Sequence, residues 1–285
     1  MKMDIFDDII YVASNEELLS DITKYVEGTE GLGTIGLRIL DSFISILNNL
    51  RATIRLPSTT VKRSEFKTFV QSNLIRVKLL NRKSYTDLHL YNIPVIIGMK
   101  VSYVEATYIL GAILKELDIF SRSENALFCI KNISDTVEGE TLTLTDVINQ
   151  AANVYNTKLN VDIKKKIESI NDVKSTVATL PFADVFKSMT EFHTVYDTVY
   201  DMADQYNTLS HITSMIDRIQ DYTNKIIATV KHKRLEFTKA DLVSMSNVVY
   251  LYANMFDVYG LTIARQHNLD HSFTEVCKSL LEQLS

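Results

Sequence analysis

Proline, glycine and tryptophan are scarce or missing in this sequence, with 3 Pro, 8 Gly and no Trp among 285 residues. Average usage is about 5% Pro and about 7% Gly. A sandwich or barrel needs a turn every 8–12 residues or so, and tight turns consume these residue types. Asn and Asp are available for turns, but Gly and Pro are not. Few interruptions mean long elements, and long elements mean helices. Cysteine is nearly absent too. Cys129 and Cys277 form no metal-ligand spacing and no disulfide framework, and are expected to be reduced, packed thiols in a cytosolic setting. Long apolar runs are missing. Val95-Ile96-Ile97 falls far short of the roughly 18–20 residues of a membrane span. The acidic start, Met1 to Asp8, lacks the charged-then-apolar layout of a secretory signal. Neither a signal peptide nor a membrane partner is expected.

The composition that remains is 46% hydrophobic and 23% charged, too apolar for a disordered chain. Helix starts recur by one device, a Ser or Thr followed three residues later by an acid, so that each side chain satisfies a backbone N–H at the helix entrance. Ser14 with Glu17, Ser102 with Glu105, Ser121 with Glu124, Ser272 with Glu275 and Thr238 with Asp241 fit this. After Ser102 come Ile109, Leu110, Ile113, Leu114 and Leu117; after Thr238 come Leu242, Met245, Val249, Tyr252 and Phe256. Both series have helical spacing. The segment from Gly28 to Gly36 reads as a loop, Leu37 to Arg55 as a helix stopped by Pro57, and residues 64–83 as another helix. Between Tyr85 and Val101 the pattern turns extended, and one short β-hairpin is expected near 85–101.

The second half carries the longest periodicity. Residues 164–180 are periodic, Pro181 interrupts, and Val185, Met189, Phe192, Tyr196, Val199, Ala203 and Tyr206 follow at alternating steps of four and three. That is the seam of a helix that pairs lengthwise with another. An unbroken helix over 182–233 would be roughly 75 Å long, at about 1.5 Å per residue. A stammer or short break is expected near Asn207 to Ser210, where two steps of three follow each other. The fold class predicted is therefore all-α: a helical bundle with one long helix or coiled-coil-like hairpin in the C-terminal half. Two domains are expected, a helical one over 1–140 and a helical bundle over 141–285.

Charge is uneven beneath a net −5. Residues 1–50 hold nine acids against three cations, whereas 51–83 hold nine cations against Glu65 alone. Residues 184–221 hold seven acids against Lys187 and Arg218. Opposed patches suit assembly with other subunits, because they steer encounter and set orientation. The seam residues Val185, Met189, Phe192, Tyr196, Val199 and Tyr206 are the candidate protein interface. Arg51, Arg55, Lys62, Arg63, Arg76 and Lys83 are a candidate basic patch for nucleic acid. Arg76 and Lys78 lie about 200° apart on a helix, and the pI of about 5.7 argues against a dedicated nucleic-acid protein.

Catalytic and cofactor motifs fare poorly. Gly31, Gly33 and Gly36 make G-x-G-x-x-G, but dinucleotide chemistry also needs a buried strand before the loop and an acid about 20 residues on. The segment 22–27 is polar, and no acid lies between Asp41 and Glu65. His267 and His271, four apart with Glu275 beyond, would share a face on one helix, but Asp270 or Ser272 reads as a cap that separates them. Tyr is abundant, at 14, which suits interfaces and cores alike. No enzyme activity, cofactor or metal is expected.

The chain resembles the virion structural proteins of large tailed bacteriophages. The likeness lies in an Ile/Asn/Asp/Tyr/Lys-rich helical style with little Pro, Gly or Trp, and in the stretch from Leu90 to Glu105, LYNIPVIIGMKVSYVE. The resemblance implies a head, tail or baseplate component held by copies of itself or by neighbouring virion proteins. It carries over no functional residue. A nucleic-acid-associated protein and a transient helical adaptor are the alternative expectations.

Overall fold

A computed structural model describes residues 32–55, 65–97, 101–122, 125–138, 176–204, 206–233 and 237–285, with Asp146, Ile167 and Ile170 singly. The described residues form α1 (Leu32–Arg55), α2 (Glu65–Ser72), α3 (Leu74–Leu80), α4 (Tyr85–Leu88), β1 (Asn92–Ile97), α5 (Tyr103–Arg122) and α6 (Asn125–Glu138). They continue with β2 (Thr176–Pro181), α7 (Phe182–Val185), α8 (Met189–Asp204), α9 (Tyr206–Lys233) and α10 (Lys239–Leu284). The chain is predominantly α-helical, with one two-stranded sheet among the described residues.

The spine is α10, 46 residues long, or about 69 Å at about 1.5 Å per residue. Its start follows the cap read from the sequence. The Asp241 N–H donates to Thr238 Oγ1 at 3.2 Å, and the Thr238 N–H donates to Asp241 Oδ2 at 2.8 Å. Two hydrophobic cores form along it. The first joins Leu242, Val249 and Phe256 of α10 to Ile39, Phe43 and Leu47 of α1 and to residues of α6 and α9. The second surrounds Leu269, Phe273, Val276 and Leu280 of α10 with residues of α2, α8 and β1. Here Phe66, Tyr103, Phe182, Phe186, Phe192, Tyr196 and Phe273 interlock, with Phe66 and Phe273 rings 5.1 Å apart. Helix α5 serves both cores, sending Ile113 and Leu117 to the first and Ala106, Leu110 and Leu114 to the second. Each core thus draws residues from both sides of residue 140, the boundary expected between domains.

Several expectations are corrected. The rod expected over 182–233 is not continuous: Phe186 to Ser188 are non-helical, and residue 205 is outside the described residues. The reason is a fresh helix start. The Glu191 N–H donates to Ser188 Oγ at 3.2 Å while the Lys187 N–H donates to Glu191 Oε2 at 2.7 Å. The break lets Phe182 and Phe186 both turn into the second core. The long helix of the C-terminal half is instead α10, which runs unbroken through Asp270 and Ser272. Ser272 is buried inside it rather than capping it.

The extended segment near 85–101 contains β1, but its partner is remote. β1 pairs antiparallel with β2, in a register running from Asn92 opposite Pro181 to Ile97 opposite Thr176. The end of the helix expected over 164–180 is therefore strand. Among the described residues both strands are edges of a two-stranded sheet, a setting that tolerates Pro94 and Pro181 because an edge can spare their missing N–H. Ile93 and Val95 face the core, and Gln283 Nε2 of α10 donates to the Asn92 carbonyl at 2.6 Å. The loop expected to end at Gly36 is also revised, since Gly33 and Gly36 lie in α1. A Cβ on Gly36 would sit 2.7 Å from Phe237 Cε2, so glycine there permits close packing rather than a turn. The region expected as one helix over 64–83 is two, α2 and α3, parted at Asn73, whose Nδ2 donates to the Phe69 carbonyl at 3.0 Å. The caps expected at Ser14 and Glu17 lie outside the described residues, as does Glu124.

Candidate functional site

The seam expected as an interface is largely covered by the chain itself. Phe192, Tyr196 and Val199 are buried in the second core, and Val185 and Met189 pack half-buried against its edge. The side chain of Tyr206 lies outside the described residues. The partner rods are the protein's own α5 and α10, with Phe192 and Phe273 rings 5.6 Å apart.

The six candidate basic residues do not converge on one element. Arg51 of α1 is half-buried and ion-paired with Asp217 of α9. That pair pins two helices of the first core together. The side chain of Arg55, and all of Lys62 and Arg63, lie outside the described residues. Arg76 is exposed on α3, and Lys83 is half-buried just beyond it.

Helix α3 is more unusual than the charge pattern alone suggested. Val77 and Leu80 are buried in the second core, as the 3.6-residue period requires. Yet Leu74, expected on the same apolar face, is 49% exposed, and Ile75 is 81% exposed. Leu79, one turn after Ile75, is also out in solvent. Arg76, Lys78 and Arg82 are exposed among them, and no acid occurs from residue 66 to residue 86. This short helix therefore presents apolar side chains to water inside a purely cationic frame. Exposed acids lie elsewhere, with Asp197 and Asp201 one turn apart on α8 and Asp221 on α9.

A second grouping joins α2 to α10. His271 was expected across a helix boundary from His267; it lies instead in mid-helix, one turn before Glu275. Its Nδ1 shares a hydrogen bond with both oxygens of Glu65, 3.1 Å from each. Glu65, His271 and Glu275, all half-buried, offer one donor atom each within 4.8 Å of one another. Lys278 Nζ donates to Glu275 Oε1 at 2.6 Å. Beside them Asp270 is 1% exposed, and neither carboxylate oxygen has a hydrogen-bond partner among the described residues. Burial first, and the charge of Glu65 second, hold its carboxyl well above the usual carboxylate range. The sequence spaces His267, His271 and Glu275 by helical turns but offers a cap at Asp270 or Ser272 that divides them, and Glu65 is 206 residues away from His271. No local spacing encodes such a contact.

Burial likewise pushes the Cys277 thiol and the Tyr103 and Tyr259 hydroxyls far up, so none of them ionises at neutral pH. Among the described residues no helix is long and apolar enough to cross a membrane. Comparison with models of protein families, with curated proteins and with solved structures finds no match for the chain.

Proposed function

We propose that this chain is a non-enzymatic assembly subunit that contacts copies of itself through α3. The observation that carries the reading is the exposure of Leu74, Ile75 and Leu79 within a frame of Arg76, Lys78 and Arg82. Ordering large apolar side chains in water has no stabilising return in a monomer, whereas a desolvated apolar centre with a charged rim is the anatomy of a protein interface. The chain also carries exposed acids, Asp197 and Asp201 one turn apart on α8 and Asp221 on α9, that such a frame on a second copy could meet. A cationic face meeting a different, anionic face is a heterologous contact, which builds rings or open filaments rather than closed pairs. That geometry suits a repeated component of a virion head, tail or baseplate, in line with the helical style noted above.

Nucleic acid is the competing occupant of the same face. Phosphates would use Arg76, Lys78, Arg82 and Lys83, but they make no use of an exposed Ile75. We therefore favour protein. Sedimentation of the full chain over a concentration series tests this. The expected result is a reversible oligomer, weakened by salt and reduced to monomer in Ile75→Glu with its helical circular dichroism retained. A strict monomer at every concentration, or an Ile75→Glu variant that assembles like the parent, would overturn the proposal. Salt-sensitive retention on DNA without self-association would transfer the face to nucleic acid.

A further inference from the structure

We propose that Glu65, His271 and Glu275 form a binding site for a divalent first-row transition ion, one that clamps α2 to α10. His271 and Glu275 are spaced i, i+4 on one helix, which places them on a common face one turn apart. Glu65 enters from α2, and His271 Nδ1 is 3.1 Å from both of its oxygens. Zinc takes His nitrogen and carboxylate oxygen at about 2.0–2.2 Å, so tetrahedral donors stand about 3.4 Å apart. The Glu65–His271 separation already matches. All three donors lie within 4.8 Å, and a change in the Glu275 side-chain torsions closes the rest. Two carboxylates balance the ion's two charges, and one imidazole favours Zn, Co, Ni or Fe over Mg or Ca.

Asp270 is an independent pointer. Its carboxylate is 1% exposed and has no hydrogen-bond partner among the described residues. Buried polar groups are nearly always satisfied, and Asp270 is next in the chain to His271, where two further acids, Glu65 and Glu275, converge. A cation between Glu65, His271 and Glu275 would add positive charge beside the buried Asp270 carboxyl. Lys278 stays on Glu275 as an outer partner that orients the ligand.

The test is calorimetric titration of the full chain, stripped with a chelator, using Zn²⁺, with Co²⁺ absorption as an optical readout and Mg²⁺ as the comparison ion. The expected result is one saturable Zn²⁺ site that raises the melting temperature, and no such rise with Mg²⁺ at the same concentration. Glu65→Gln, His271→Gln and Glu275→Gln should each weaken Zn²⁺ binding about tenfold or more. Glu65→Gln is the decisive variant, because its amide oxygen still accepts from His271 and keeps the two helices joined. His211→Gln removes a different imidazole–carboxylate pair, with Asp118 at 3.4 Å, and should leave the affinity unchanged. No saturable binding, equal stabilisation by Mg²⁺, parental affinity in a folded Glu65→Gln protein, or loss of affinity in His211→Gln would each overturn the site.

Discussion

Gly36 and Gly111 both sit inside helices, yet their surroundings give an added methyl opposite signs. At Gly36 a Cβ would meet two ring carbons of buried Phe237 at 2.7 and 2.8 Å and Leu242 Cδ2 at 3.2 Å. Overpacking of that kind costs about 1–3 kcal/mol, against a helix-propensity gain of about 1 kcal/mol. Both close contacts are to one buried ring, so the clash outweighs the gain, and Gly36→Ala should lose up to about 2 kcal/mol by urea unfolding. At Gly111 the nearest atom is Thr198 Cγ2 at 3.4 Å, an ordinary contact. Gly111→Ala should therefore gain about 0.5–1 kcal/mol. A stabilised Gly36→Ala would show that Phe237 gives way freely.

Asp270 adds a pH dependence at the same scale. In the metal-free protein its raised pKa means the folded chain holds a proton that the unfolded chain releases near the ordinary value of 3.8. Stability then falls as pH rises from that value toward the folded pKa, because the folded state binds more protons. Among the described residues Glu65 of α2 and Tyr103 of α5 interact with it, and neither supplies a positive charge. Asp270→Asn carries no ionisation penalty. Its urea midpoint should exceed the parent's at neutral pH, and the difference should vanish as the pH is lowered below the ordinary carboxylate range. An unchanged midpoint at neutral pH would contradict the burial argument.

At the scale of elements, local chemistry was readable and long-range pairing was not. The Thr238–Asp241 cap and the helical period after it fix the start of α10, because both causes lie within one turn. Ser84 and Asp87 carried the same signal for α4: the Ser84 N–H donates to Asp87 Oδ2 at 2.8 Å, and this bond holds the Asp87 carboxyl below its usual range. Ser188 and Glu191 carried it for α8. Their spacing was in plain view, but the seven-residue apolar rhythm around them read as continuity. Ser272 and Glu275 show the reverse error, a capping pattern overridden by tertiary packing. Burial surrounds α10 at that point, with Leu269, Ser272, Phe273, Thr274, Val276 and Cys277 all inside. The pairing of β1 with β2 and of Glu65 with His271 depends on how remote segments meet, which no window of sequence contains. The solvent-facing apolar residues of α3 could not be foreseen for the same reason. Leu74 and Val77 share one period, but only the packed neighbours decide which is covered.

For the whole molecule, the placement of two cores along one helix sets how it unfolds. Phe256 belongs to the first core and Phe273 to the second, and both are fully buried on α10. Were the cores separate domains, each could melt alone. They share α10 and α5, so losing either core exposes apolar faces of both helices and removes support from the other. Phe256→Ala and Phe273→Ala should each cost about 3–5 kcal/mol and shift one common transition. Far-ultraviolet circular dichroism, which follows helix, and tyrosine fluorescence, which follows packing, should then give coincident urea curves. Two steps, with Phe273→Ala moving only one of them, would mean that α10 bends or frays between its halves and that the cores are autonomous. A single step makes the spine a rigid coupling, so that an ion bound between α2 and α10 stabilises the first core as well as the second.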